Sequence, residues 1–388
     1  MKSSENKKRY EIKTLLIKSM NENITNYNYI SNINNIIINI SIYNYYITQK
    51  DIKYINNINK TKDINSIINK IPIKIKNHDF SYYYEAWCIK ELNIININPQ
   101  KKLELIAIGV DSNIILLDIF TFRIYQTIKE HYNKVYSFDQ FKDDCKYLLS
   151  SSKDESINIY KLNSEYKYVL IQKIKKSKDK SGDEIGKVIA LSNKLLVSGD
   201  HRSITIWKSN TNNNEEEIHY EDFYEIIINY DTCNLLEVNP SVFIATQYEN
   251  GGKFQVYKND GEYFPLIGEL KLESHGYSTN GLCKINDKLV CSVARAYVFI
   301  ICIDPLQIIQ KLTSYTTVYN INITKEDYLY YTTYNYFAQY KIIKDEDNNF
   351  IELVEIGKYH KYLKESPILP FDDGRIFFID EREYKLLA

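Results

Sequence analysis

Between Leu105 and His131 the apolar residues fall into short runs with polar punctuation. Leu-Ile-Ala-Ile-Gly-Val (105–110) is followed by an Asp-Ser-Asn turn, then Ile-Ile-Leu-Leu (114–117), then Arg-Ile-Tyr-Gln-Thr-Ile-Lys-Glu-His (123–131). Runs of four to eight residues bounded by turn formers predict strands rather than helices. The pattern recurs at 148–161, and its third-strand position can be followed as Leu117, Tyr160, Trp207, Tyr257, Ile303 and Tyr340, spaced 43, 47, 50, 46 and 37 residues apart. Five of the six histidines, His78, His131, His219, His275 and His360, are expected just before a first strand, at intervals of one or two repeats; His201 is off this register. Self-similarity at about 40 to 45 residues predicts an array of small sheets.

The stretch Leu148-Leu149-Ser150-Ser151-Ser152-Lys153-Asp154-Glu155-Ser156-Ile157-Asn158-Ile159-Tyr160-Lys161 resembles the WD-repeat pattern Leu-Ala-Ser-Gly-Ser-x-Asp-x-Thr-Ile-x-Ile-Trp-Asp, with Tyr160 in the tryptophan's place. Leu195 to Trp207 is the best tryptophan-bearing copy, and Tyr328 to Tyr340 the weakest. The resemblance implies an all-β fold, a single β-propeller of four-stranded blades. Ser366–Phe371, Arg375–Asp380 and Tyr384–Ala388 make three strands without a fourth, and an early strand at Ile71–Lys76 would complete that blade and close the ring. The expectation is seven blades over residues 66–388, with six or eight as the alternatives.

Residues 1–65 differ, and are expected to form a small helical or mixed extension. Ile38, Ile40 and Ile42 alternate with polar residues at strand period, whereas Ile36, Ile40, Tyr43 and Ile47 sit at helical spacing, so periodicity leaves both open. Within about 36–61, Tyr46-Ile47-Thr48-Gln49-Lys50-Asp51-Ile52 through Ile58 and Lys60 resembles the core of an F-box. That resemblance implies docking to the Skp-type adaptor of a cullin ubiquitin ligase through Ile47, Ile52 and Ile58, with Asp51 capping a helix. Ile36 stands where the family has proline, and no tryptophan follows Lys60. The alternative is a helix or extra strands packed on the propeller.

Composition narrows the function classes. Hydrophobic residues are 44% and charged residues 26%, ordinary globular values. A formal charge of −1 gives no global attraction for phosphate, which argues against nucleic acid. Neither a signal-peptide core nor a membrane-length apolar run is present, so a cytoplasmic or nuclear protein is expected. Six cysteines without a Cys-x-x-Cys pair read as reduced, mostly buried residues.

No nucleotide-binding, hydrolase or metalloprotease motif occurs, and no cofactor is expected. The acidic run Asp345–Asn349 lacks the glycine and terminal glutamate of an EF-hand loop and reads as a solvated turn; Lys173–Lys180 and Glu215–Glu217 read as exposed charge runs. The WD-repeat resemblance implies that His131, Asp154, Ser150 and Tyr160, with Ser198 and Trp207 in the next copy, form buried hydrogen-bond chains that lock blades. It also places Lys153, Arg202 and Arg295 in turns on the face where such propellers bind partners, and arginine forks suit carboxylate or phosphate. The expected function is a non-enzymatic protein-interaction scaffold with an anionic or phosphorylated peptide partner, either a ubiquitin-ligase substrate receptor or a structural subunit of a trafficking, RNA-processing or cytoskeletal complex. A propeller enzyme would need acidic or histidine groups converging on the central channel.

Overall fold

The computed structural model describes residues 73–75 and, with short interruptions, 86–387. The F-box-like residues Ile47, Asp51, Ile52 and Ile58 lie outside the described residues, as do His78 and His275.

Thirty strands and no helix make up the described chain. After β1 (Ile73–Ile75), the first sheet begins with β2 (Ala86–Glu91). A two-stranded hairpin, β3 (Ile95–Asn98) and β4 (Lys101–Leu103), interrupts it before β5 (Leu105–Val110), β6 (Asn113–Asp118) and β7 (Ile124–Ile128). The hairpin was not anticipated. The second sheet is β8 (Val135–Gln140), β9 (Tyr147–Ser152), β10 (Ser156–Leu162) and β11 (Tyr168–Lys175); the third is β12 (Lys187–Ala190), β13 (Leu196–Gly199), β14 (Ser203–Ser209) and β15 (Tyr220–Ile227). The fourth comprises β16 (Thr232–Asn239), β17 (Val242–Gln247), β18 (Lys253–Lys258) and β19 (Leu266–Lys271). The fifth comprises β20 (Gly281–Lys284), β21 (Leu289–Ala294), β22 (Tyr297–Ile303) and β23 (Leu306–Thr313). The sixth comprises β24 (Val318–Ile323), β25 (Tyr328–Thr333), β26 (Tyr336–Lys344) and β27 (Phe350–His360).

These six blades are successive antiparallel repeats along the chain. A further four-stranded sheet joins the two ends of the described chain: β28 (Ile368–Pro370), β29 (Ile376–Asp380) and β30 (Glu383–Leu387) pair in order, and β1 adds outside β30 in the register Ile73↔Leu386, Ile75↔Tyr384. The first strands neighbour one another around a circle, from β2 through β8, β12, β16, β20 and β24 to β28 and back to β2. The result is an all-β propeller.

The second strands of the six blades are buried on both faces because each is sandwiched between two neighbouring sheets. β5, β9 and β21 are buried at every residue, which explains why their sequences run apolar or small without alternation. A hydrophobic cluster fills each interface. Leu148, Tyr160 and Tyr168 meet Leu105, Ala107 and Leu116 between the first and second sheets, and Leu369, Phe371 and Phe377 meet Ile106, Ile108 and Leu117 where the ring closes. Gly109 lets two sheets approach closely: a Cβ there would lie 2.6 Å from Cys88 Sγ and 3.0 Å from the Val135 carbonyl oxygen. Of the cysteines, all free, only Cys291 is fully buried; the other five are half-buried, fewer than expected.

In the six blades the third strand carries a β-bulge against the fourth at an equivalent position, between Leu116/Leu117, Ile159/Tyr160, Ile206/Trp207, Val256/Tyr257, Ile300/Ile301 and Gln339/Tyr340, with a further shift at Ile343/Lys344 in β26; β30 pairs with β1 without one. The bulge corrects the repeat register in the fifth blade. Ile301, not Ile303, is equivalent to Trp207, because the long apolar run Val-Phe-Ile-Ile-Cys-Ile offers several candidates and only pairing selects one. His219 is also corrected: it precedes β15, a fourth strand, rather than a first strand.

Opposite the residue before the bulge, three outer strands carry a glutamine that grips the next blade. Gln126 donates to the Tyr168 carbonyl (2.7 Å) and accepts from its N–H (2.9 Å), and Gln172 does the same with Tyr220 (2.8 Å both). Gln310 accepts from the Leu353 N–H (3.2 Å). Leaving both Tyr220 groups unpaired costs about 1–3 kcal/mol each if they are buried, less where water replaces the glutamine. Gln172→Ala is therefore expected to lower stability by about 1–3 kcal/mol in denaturant unfolding, and Gln172→Glu to lose most of the same amount because a carboxylate cannot donate.

Candidate interaction surface on the turn-bearing face

The turns between second and third strands, and the connections from fourth to first strands, emerge at one end of the ring. Their backbone ties neighbouring blades together: the first-strand N–H groups of Val135, Thr232 and Val318 donate to the turn carbonyls of Asp111 (2.8 Å), Asp200 (3.0 Å) and Arg295 (2.7 Å) of the preceding blade. Asp111 (φ 48°) and Arg295 (φ 52°) adopt the left-handed conformation, as does Glu155 (φ 65°) in the second blade's turn. Arg295 thus serves first as a turn residue whose carbonyl faces the next blade.

The network at His131 follows from this arrangement. His131 sits just before β8 with both ring nitrogens engaged: Nδ1 lies 3.1 Å from each Asp154 carboxylate oxygen, and Nε2 lies 2.7 Å from Ser150 Oγ. An ionised carboxylate accepts only, so Nδ1 carries the hydrogen. Ser156 Oγ–H also donates to Asp154, the Tyr132 N–H donates to it at 3.0 Å, and Lys173 pairs with it at 3.1 Å. Burial opposes ionisation of Asp154, but the hydrogen bonds from His131, Ser156 and Tyr132 outweigh it and hold the carboxyl well below its usual range. Tyr160 joins through Asn158, whose Nδ2–H donates to the hydroxyl at 3.0 Å; burial pushes that hydroxyl up to about 12, with hydrogen bonding to Ser150 and Asn158 acting against it. Ser156 and Asn158 escaped the sequence reading because short polar residues in a strand give no periodic signal.

The bonding order Ser150–His131–Asp154 is that of a nucleophilic triad. Ser150, however, is completely buried in β9 and His131 Nε2 is spent on it, so an acyl substrate has no approach. The network locks a blade. In the third blade, Trp207 Nε1–H donates to Ser198 Oγ at 2.8 Å, both buried, without a histidine. The turn residue there is Asp200, which accepts from the N–H groups of Arg202 and Ser203 (2.8 Å each).

The three proposed partner-binding residues stand in turns of three blades. Lys153 (second) is half-buried and pairs with Glu184, which also accepts from Tyr136 (2.7 Å). Burial of Glu184 is outweighed by Lys153 and Tyr136, so its carboxyl is held low; Tyr136 is raised, first by burial and then by Glu184. Arg202 (third) and Arg295 (fifth) are exposed, two blades apart. A group that sequence reasoning missed lies beside Lys153. Lys134 Nζ stands 3.6 Å over the ring of Trp87, Trp87 meets Tyr136 edge-on at 6.2 Å, and Lys173 Nζ lies 4.4 Å from the ring of Tyr132. Trp87 and Tyr132 are 38% and 83% exposed. Trp87 and Tyr136 occupy bulges of their first strands, where the register shifts between Ala86/Cys88 and Val135/Ser137. A bulge re-aims a side chain, which is how they leave the alternation that would have signalled them. Lys173, expected to be an idle loop charge, instead belongs to β11 and to this network. The Asp345 run does close a turn, with Asp345 Oδ1 accepting from the Asn349 N–H at 2.7 Å. Among the described residues no cluster of three or more metal-ligating side chains occurs, and no helix is long and apolar enough to cross a membrane.

No family model matches the chain, and no curated protein sequence matches it. Among solved structures, a chain in a crystal structure of the mitotic checkpoint complex matches with a TM-score of 0.58 over 73% of this chain and 86% of that one, at 9% identity. The likeness is one of fold. It agrees with the propeller fold, and nothing in it supports the F-box branch.

Asp154→Asn is expected to lower stability at neutral pH by about 1.5–3 kcal/mol, because hydrogen bonds to a charged acceptor are lost. Its folded pKa lies below the unfolded value of 3.8, so this contribution is present above that pH and disappears as pH falls through and below it. Denaturant unfolding of wild type and variant should therefore converge in acid.

Proposed function

We propose that this protein is a non-enzymatic interaction scaffold whose turn-bearing face holds an anionic segment of a partner protein, in the cytosol or nucleus. The observation that carries the reading is the cluster of exposed aromatic rings with lysines stacked on them, Trp87 with Lys134 and Tyr132 with Lys173, beside the Lys153 turn. Aromatic side chains and arginine dominate the energetics of protein interfaces, and a lysine held over an exposed ring is placed to meet an anionic group; Lys134 is the cation for that role, since Lys173 already pairs with Asp154 and Lys153 with Glu184. Arg202 and Arg295 would extend the contact around the rim with bidentate donors for carboxylate or phosphate.

Screening the intact protein against an array of acidic peptides, phosphorylated and not, tests this. Trp87→Ala and Lys134→Ala are each expected to weaken the best ligand by about tenfold or more, the scale of an interface hot spot. Arg202→Ala and Arg295→Gly should add smaller losses; glycine suits the positive φ at Arg295. Peptides that bind all four variants as well as wild type would retire the reading.

The substrate-receptor version adds a Skp-type adaptor at Ile47, Asp51, Ile52 and Ile58, and rests on the resemblance of that segment alone. The intact chain should capture such an adaptor, and Ile47→Asp with Ile52→Asp should abolish capture while the propeller stays folded. No capture by wild type leaves the scaffold without the ligase role.

A further inference from the structure

The perimeter of the ring carries apolar side chains with no partner blade. On the outer strands of the fourth to sixth blades, Leu266, Ile267, Ile308, Ile309, Ile351 and Ile356 are each 40% exposed or more. These strands are neighbours: Gly268 of β19 sits so close to β23 that a Cβ there would lie 2.5 Å from Leu306 Cδ2. Among the described residues β27, eleven residues long, is paired on its inner side alone, by β26. A long, apolar edge strand is a template for further chain, and proteins ordinarily cover or charge such an edge.

The chain itself supplies a cover of matching chemistry. β1, which follows residues 1–72 in sequence, is the outermost strand of its sheet among the described residues and lies at the perimeter of the ring. The blade of β1 neighbours the blade of β27 through β24 and β28, where Asn322 Nδ2–H donates to the Ile368 carbonyl at 2.8 Å. Residues 1–72 contain 18 isoleucines, with 11 Lys and Arg against 5 Asp and Glu, a net charge of +6. Because the whole chain carries −1, residues 73–388 carry −7. Exposed Glu352 and Glu355 stand between the isoleucines of β27. Apolar content, opposite charge and point of entry agree.

We infer that the isoleucine-rich segment of residues 10–68 docks on the outer surface of the fifth and sixth blades and shields the β27 edge. This does not rest on the proposed anionic-peptide site, which occupies another face, and it is exclusive of the adaptor-docking version, which needs Ile47, Ile52 and Ile58 turned to an adaptor. A photo-cross-linking residue placed at Ile356 of the intact chain, at a dilution where copies do not meet, is the test. Cross-links to residues 10–68 of the same chain are expected, with their loss when Ile351→Lys and Val354→Lys are added, since the two lysines remove apolar contact and repel a basic segment. Both positions are exposed, so the variant should fold, which a thermal melt checks. Cross-links only between copies, none at all, or cross-links undiminished in the lysine variant would overturn the inference. Peptide binding at Trp87 is indifferent to every one of these results.

Discussion

Each blade must bury both of its faces, and only a closed circle of blades allows that. A four-stranded sheet whose second strand reads Leu-Ile-Ala-Ile-Gly-Val has no side to turn to water, so its stability is borrowed from the sheets on either side. Hydrophobic clusters between neighbours provide the bulk of that stabilisation, but such contact is non-directional. Position is set by polar links: the turn carbonyls of Asp111, Asp200 and Arg295 at one end, and Gln126, Gln172 and Gln310 along the outside. Inner strands add others, with Ser137 Oγ and Asp139 Oδ2 accepting from the N–H groups of Val188 (3.0 Å) and Ala190 (2.8 Å) of the next blade. Each link is worth little alone and much when broken.

The same economy joins a serine, a histidine and an aspartate in the bonding order of a triad while holding all three inside a blade. Ser150, His131 and Asp154 fix the second blade's turn against its first strand, and that turn holds Lys153 and carries the Tyr132 and Lys173 pair. A rigid, buried polar core lets the exposed rim be aromatic and charged without collapsing on itself.

The repeat was legible because middle strands buried on both faces leave continuous apolar runs and because His131, Asp154, Ser198 and Trp207 sit at fixed offsets from them. The copy at Leu289–Ile303 was read two residues off because its third strand is apolar throughout, and His219 was misplaced because a histidine before a fourth strand looks the same as one before a first. The glutamine grips were invisible. One side chain every 40 or so residues, replaced by Tyr224, Gly268 and Gly357 in other blades, is not a pattern until strand pairing aligns it. Trp87 and Tyr136 were missed for the related reason that a bulge removes its residue from the alternation.

If closure is what holds the blades, the two ends of the ring should open as one. Hydrogen exchange on the intact chain, followed at residues 73–75 and 383–387, measures this directly. Protection at both, lost together in a single cooperative event along with the adjoining strands β2 and β24, is the predicted result. Free exchange at 73–75 while 383–387 stays protected would contradict it, and would mean that the blades stand without the strand that joins the chain's two ends.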